Sequence, residues 1–288
     1  MHSWPSSTRD LHCNTGTSTT TPRCSGTGAP TERPAHRHRE QSRLAQDAAT
    51  ACRDSGRSLV SGPTTAFSLP HGDDMLSRFR WTTFDLSSWL PSGWQHDVIT
   101  VAAKADFREF PRTPALSRES ADVLRIPRGR VHADQVRQGL PWLHQSYREE
   151  ILELAGEACA ERVVAACDER YGVVLNVQRG TTMRFECHID SNPLTGLLFC
   201  TDHPVGGELV FAHDTQAAGI SAVERGCSVI RPQAGQLIFF DARQHPHYAR
   251  PLTTTSDMRV VAVMNFYTES CPEDTRPKEL NRHLYGDE

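Results

Sequence analysis

Three places in the chain set a histidine two residues ahead of an aspartate: His71-Gly72-Asp73, His132-Ala133-Asp134 and His188-Ile189-Asp190. An imidazole nitrogen and a carboxylate oxygen both bind divalent transition metals, so such a pair held on one face supplies two points of a metal site. The triplet by itself is weak evidence. With 14 histidines and 18 aspartates in 288 residues, chance placement yields about one. The surroundings must decide. The first triplet lies in or beside a polar stretch that offers nothing to hold two ligands rigidly. The second precedes a helical region, where Asp134 suits a helix start. The third closes MRFECHI, a run that reads as a strand. Alternate side chains of a strand share a face, so His188 and Asp190 project together and Ile189 turns away.

A third ligand is available downstream. DARQHPHYARPL, residues 241–252, carries His245 and His247 beside the strand-like QLIFF. Either histidine would complete a two-histidine, one-carboxylate set, the arrangement of non-haem iron centres with open coordination positions. Twelve residues after His247, Arg259 opens the run RVVAVMNFY. Alone it would read as a solvated strand-end charge. Beside a metal site, its planar fork is suited to gripping a carboxylate with two hydrogen bonds.

These side chains need a rigid frame, and the pattern from Tyr171 onward predicts one. YGVVLNVQ, MRFECHI, LTGLLFCT, GELVFAH, CSVIRP, QLIFF and RVVAVMNFY are short β-rich runs separated by turn signals such as Ser191-Asn192-Pro193 and Pro204-Val205-Gly206-Gly207. So many short strands in about 100 residues suit a jelly roll better than alternating βαβ units. Residues 75–170 read as mainly helical support. In PWLHQSYREEILELAGEA, Leu143, Tyr147, Ile151, Leu154, Ala155 and Ala158 recur at helical spacing, and Pro141 suits the first turn. Gly156 is expected to divide this helix from a second one in ERVVAACDER. The expected fold is mainly β with supporting helices: a double-stranded β-helix, or cupin-like jelly roll.

Composition bounds the rest. Residues 1–74 hold 33 Ser, Thr, Pro or Gly and few large apolar side chains, so they are expected to be a disordered tail. Residues 75–288 are expected to be a single domain: helical support over 75–170, β-helix core over 171–268 and a C-terminal extension over 269–288. The net charge is −4, which argues against a nucleic-acid groove. No apolar run approaches the length of a membrane span, and no signal-like apolar stretch follows the start. The nine cysteines are odd in number and include no Cys-x-x-Cys pair, which fits reduced thiols in a cytoplasmic protein.

The order of these pieces resembles the 2-oxoglutarate- and iron(II)-dependent dioxygenases, in particular the prolyl-4-hydroxylase-like branch. The resemblance covers residues 171–268. It rests on His188-Ile189-Asp190, LTGLLF (194–199), GGELVF (206–211), PQAGQLIFF (232–240), HYARPL (247–252) and Arg259. In that family a proline follows the distal histidine by four residues, which selects His247, with Pro251 behind it, over His245. The resemblance then implies that His188, Asp190 and His247 hold iron(II) and that Arg259 holds the far carboxylate of 2-oxoglutarate. It further implies that dioxygen is consumed, that succinate and carbon dioxide are released, and that an unactivated C–H bond is hydroxylated. Related halogenases carry Gly or Ala in place of the carboxylate ligand, so Asp190 points to hydroxylation.

The chain departs from the family where a cosubstrate tyrosine is frequent: Gln178 stands there, and a second aromatic position is Phe185, which has no hydroxyl. Gln178, Thr195 or Asn176 is expected to supply the missing polar contact. By alternation Asn265 and Tyr267 share the face of Arg259, which makes them candidate substrate residues. The helical region and the C-terminal segment are expected to close over the pocket. The substrate expected is a small molecule, a free amino acid or a natural-product intermediate. Two other classes share parts of the pattern. One is a cupin-type metal enzyme that does not use 2-oxoglutarate. The other is a non-catalytic domain that senses iron or 2-oxoglutarate.

Overall fold

Strict alternation along one long strand, Met258–Thr268, sets the layers of the molecule. Val260, Ala262, Met264 and Phe266 are buried on one face against helices, while Arg259, Val261, Val263 and Asn265 line the opposite face. The structure is a computed structural model and describes residues 79–285. The expected tail over 1–74 and the His71-Gly72-Asp73 triplet lie outside the described residues.

In chain order the elements are β1 (Thr82–Asp85), α1 (Trp94–Ala102), β2 (Asp106–Pro111), β3 (Arg125–Val131), α2 (Ala133–Gly139), α3 (Pro141–Arg148), α4 (Glu150–Ala158), β4 (Val163–Ala165), α5 (Glu169–Gly172) and β5 (Val173–Arg179). They continue as β6 (Leu194–Phe199), β7 (Leu209–Ala212), α6 (Ile220–Val223), β8 (Cys227–Ile230), β9 (Gln236–Phe240), β10 (His247–Ala249), β11 (Met258–Thr268) and α7 (Lys278–Tyr285). The larger sheet runs β1-β9-β6-β11-β5-β3-β2, with β4 added to β11, and the smaller sheet runs β10-β7-β8. Every pairing is antiparallel. From β5 onward the chain supplies both sheets, β5, β6, β9 and β11 to the larger and β7, β8 and β10 to the smaller, as in a double-stranded β-helix.

Two apolar layers follow from the alternation. Leu197, Phe199, Ile238, Phe240 and Val261 of the larger sheet meet Leu209, Phe211 and Ile230 of the smaller one. On the outer face, Val173, Leu175 and Val177 of β5 pack with Val136, Leu143, Tyr147 and Ile151 from the helices. A side chain as fully buried as Leu143 or Ile151 stabilises the fold by roughly 1.5–3 kcal/mol relative to exposure.

The region before Tyr171 differs from its expected helical character. It contributes β1, β2, β3 and β4 as well as helices. The apolar stripe Leu143-Tyr147-Ile151-Ala155 is buried as predicted, and Pro141 occupies the first turn of α3. The break falls at Glu149, where φ −118 and ψ −99 interrupt the helix, and Gly156 sits inside α4. ERVVAACDER is not the expected second helix: only its last two residues, Glu169 and Arg170, are helical, opening the four-residue α5. Val163 and Val164 pair with Thr268 and Tyr267 of β11 instead, where β-branched side chains are favoured. Strand β3 was hidden because RIPRGRV contains Pro127. That proline precedes the stretch Gly129–Val131 that pairs with β5, so no ladder bond to β5 is lost. No helix among the described residues is long and apolar enough to cross a membrane, and every described cysteine is free.

Candidate metal centre and its two-part cavity

One antiparallel bridge brings the two histidines together. His188 N donates to His247 O at 3.0 Å, and His247 N donates to His188 O at 2.9 Å. MRFECHI, expected to be a strand, makes only this bridge and one with Ser117. Beyond it lies an irregular loop over 113–119, which satisfies the backbone groups a neighbouring strand would otherwise pair. Cys187 N donates to Glu119 Oε1 at 2.6 Å, and Ile189 N donates to Leu116 O at 3.0 Å. Asp190 N is tied to Ala242 O at 3.2 Å, just past the end of β9.

The candidate ligand atoms of His188, Asp190 and His247 all lie within 4.8 Å of one another. The Nε2 atoms of His188 and His247 lie 3.4 and 3.6 Å from Asp190 Oδ1. Each ring is fixed from behind. His188 Nδ1 is 2.8 Å from Glu186 O, and His247 Nδ1 is 3.1 Å from His245 O. A carbonyl only accepts, so Nδ1 carries the proton and Nε2 keeps its lone pair for a metal. Burial pushes His247 down to about 4, helped by the neighbouring His188. Burial also opposes charge on Asp190, but His247, His188 and the hydroxyl of Thr195 outweigh it and hold the carboxyl well below its usual range. Asp190 is therefore ionised and His247 neutral near neutral pH, as metal binding requires. Burial opposes charge on His188, but the Asp190 carboxylate outweighs it and raises its pKa, so a metal there competes with a proton. Two imidazoles and one carboxylate on one side suit iron(II) and leave the other side open.

His245 is elsewhere. Its Nδ1 bonds Ala212 O at 2.9 Å, and its ring packs edge-on against Phe79 at 5.2 Å. His132 and Asp134 open α2, with His132 at the N-cap position.

The space around the triad has two parts that share His188, Asp190, Asn176, Phe185 and Val263. The deeper part lies between the sheets, walled by Leu209, Phe240 and Tyr248, and Arg259 reaches into it. Arg259 is 3% exposed, and desolvation lowers its pKa to about 10. It makes no ion pair among the described residues, and its Nε has no hydrogen-bond partner there. Its Nη1 donates to Gln178 Oε1 at 3.0 Å. A buried guanidinium that reaches into a cavity and pairs with no carboxylate among the described residues fits an acidic ligand such as 2-oxoglutarate.

Gln178 does not line either part. It stands opposite Arg259 in the β5–β11 register, and its Nε2 donates to Met183 O and Arg250 O at 3.3 and 3.1 Å. It positions Arg259. Thr195 lines the deeper part, but its hydroxyl donates to Asp190 Oδ2 at 2.7 Å and accepts from Asn192 Nδ2 at 2.8 Å. It orients the carboxylate. Asn176 lines both parts and has no side-chain hydrogen bond among the described residues, so its amide is available to a bound molecule. Gly207 has φ +70, and a Cβ there would lie 2.9 Å from Arg259 Cδ. Its absence lets the arginine pass.

Asn265 lines the outer part, although its Nδ2 is engaged with Tyr171 O at 2.6 Å. Tyr267 lies one alternation further on, where β4 and Tyr171 cover the strand, and it packs with Ala166 and Tyr171 outside the cavity. The cover over the outer part is Thr113 and Leu116 from the loop, and Arg276 and Leu280 from the C-terminal segment. The expected helical lid is replaced by that loop, because the helices pack on the far face of the larger sheet. Sequence reasoning missed Arg128 and Arg130, which also line the outer part. Their spacing, two apart in a β-rich run, was the available signal.

No family model matches the chain, and no curated protein does. Among solved structures it is similar to the non-heme alpha ketoglutarate dependent epimerase SnoN from nogalamycin biosynthesis, at 14% identity and TM-score 0.49, over 73% of this chain and 87% of that one. It is similar to AviO1 from Streptomyces viridochromogenes Tue57 at 16% identity and TM-score 0.48, over 68% and 92%. A third is a prolyl hydroxylase from Trichoplax adhaerens, solved with a hypoxia inducible factor peptide, at 14% identity and TM-score 0.45, over 66% and 84%. At these values no neighbour's activity carries over to this chain, and the functional reading rests on its own residues.

Proposed function

We propose that this chain is an iron(II)- and 2-oxoglutarate-dependent dioxygenase that hydroxylates a C–H bond of a small molecule. The observation that carries the reading is the pairing, in one cavity, of the His188–Asp190–His247 set with the inward, acid-free guanidinium of Arg259. Bound there, iron(II) with 2-oxoglutarate and dioxygen supplies the oxidising power for hydroxylation, with release of succinate and carbon dioxide. The protein holds and orients. His188 and His247 present Nε2 because Glu186 O and His245 O fix their Nδ1 protons. Thr195 aims Asp190. Gln178 and Gly207 set the reach of Arg259. Leu209, Phe240 and Val261 keep the deeper part apolar, which strengthens the grip of Arg259 on a carboxylate.

A cupin-type enzyme without 2-oxoglutarate, or an iron- or 2-oxoglutarate-sensing domain, would share the fold. The buried Arg259 favours an acidic cosubstrate over the first, and the open side of the ligand set favours turnover over the second. The test is anaerobic iron(II) loading, followed by dioxygen and quantification of succinate. Wild type should bind one iron and form succinate only when 2-oxoglutarate is present, and His247→Ala should do neither. Iron binding with no response to 2-oxoglutarate would leave the cupin reading. Binding of both without succinate, across a broad panel of small molecules, would leave the sensor.

A further inference from the structure

The outer part of the cavity carries a second set of cations. Arg128 and Arg130 lie on β3, the strand added beside β5, with Arg130 directly opposite Asn176. They alternate with Gly129, which packs on Phe107, and Val131, which joins the helix-side core. Both arginines therefore face the cavity, and they are 2% and 4% exposed. Arg276 joins them from the C-terminal segment, with its Nη1 3.2 Å from Ser191 Oγ.

The two groups of cations are separated by the triad. Arg259 lines only the deeper part, and Arg128, Arg130 and Arg276 line only the outer part, while His188 and Asp190 line both. One acid held at Arg259 leaves the other arginines facing a different molecule. Apart from Asp190, the outer part holds a single carboxylate, Glu186. Both of its oxygens are engaged by Thr113, from N at 2.6 Å and from Oγ1 at 2.7 Å. Three guanidinium groups against Glu186 and Asp190 leave a net positive lining, the more so once Asp190 is shared with a metal, which favours an anion in so buried a space. The forks are also held in place. The Arg128 guanidinium lies 4.6 Å from the Phe110 ring centre and 4.7 Å from that of Phe185, and Arg130 lies 5.4 Å from Phe110. Stacking of this kind reduces the entropy lost when an acid is bound. The remaining walls include Leu116, Val174, Val263 and Leu280, which suit a short apolar body.

We propose, resting on the triad as the reaction centre, that the substrate is a small organic acid whose carboxylate is held by Arg128 and Arg130. Its reacting carbon then lies on the open side of His188, Asp190 and His247. The test is calorimetric binding under anaerobic conditions to the chain loaded with iron(II) and 2-oxoglutarate. The panel is the proteinogenic amino acids, their N-acetyl derivatives and C4–C8 aliphatic acids, each with its primary amide. Wild type should bind a subset of the acids and none of the matched amides. Arg128→Gln and Arg130→Gln should each weaken that binding at least tenfold, with unchanged iron content and unchanged 2-oxoglutarate affinity. Arg128→Lys keeps the cation and loses the fork, so it should fall between. It also serves as the readout if the Gln variant fails to fold. Amides binding as tightly as their acids, no acid binding at all, or full affinity in the Arg128→Gln/Arg130→Gln double variant would overturn the proposal. If wild type takes up no iron while acid binding still follows the two arginines, the acid site stands and the reaction-centre reading fails.

Discussion

Replacing Arg259 with alanine isolates the role of one buried cation. In the folded chain its guanidinium is desolvated, donates one hydrogen bond to Gln178, and leaves Nε without a partner among the described residues. A charge-assisted contact to a carboxylate at such a site is worth about 1.5–3 kcal/mol, and each 1.4 kcal/mol is about a factor of ten in affinity. Arg259→Ala should therefore weaken 2-oxoglutarate binding roughly tenfold to hundredfold. Iron content should stay near wild type, because Arg259 makes no hydrogen bond or ion pair with His188, Asp190 or His247. The apoprotein should lose little stability. Gln178 keeps its bonds to Met183 O and Arg250 O, and removing an uncompensated buried charge offsets the lost bond. The assay is calorimetric titration of 2-oxoglutarate into iron(II)-loaded wild type and variant without dioxygen, with thermal melts of both apoproteins. Equal 2-oxoglutarate affinity in the two proteins would refute the assignment. A parallel collapse of iron content would show instead that Arg259 supports the whole site.

Thr195→Val removes the hydroxyl that donates to Asp190 Oδ2 while keeping the shape, and iron affinity measured by chelator competition should fall about 10- to 100-fold. His247→Ala should abolish iron retention whereas His245→Ala keeps it, as metal analysis after desalting will show; the reverse result would move the site by two residues. Glu273 accepts from Cys167 N, Asp168 N and the Tyr171 hydroxyl. Burial opposes its charge, but those bonds prevail and lower its pKa. A lowered folded value contributes stability above the ordinary glutamate range, and that contribution is lost as pH falls through the folded value. Glu273→Ala should cost about 1–2 kcal/mol, discounted for partial exposure, and speed hydrogen exchange over 273–280 at pH 7, with the gap to wild type closing in acid.

The sequence alone determined those features that depend on spacing within one strand. His188 and Asp190 lie two apart, and Arg259, Val261, Val263 and Asn265 share a face, because side-chain alternation is a property of any strand. The runs LTGLLF, LVFA, CSVI and QLIFF announced β6 to β9 by their β-rich composition between turn signals. Family resemblance, together with the register it implied, picked His247 over His245. Tertiary structure decided everything that depends on which strands become neighbours. Gln178 lies opposite Arg259 only because β5 pairs with β11, which turns it from a ligand contact into a support. Tyr267 leaves the cavity because β4 and Tyr171 cover that end of β11. Arg128 and Arg130 reach the cavity beside His188 and Asp190 from a strand whose charge and proline concealed it, brought there by pairing with β5 across 46 residues of chain between Arg130 and Asn176. Long-range pairing of this kind follows from the packing of whole layers, and no local pattern encodes it.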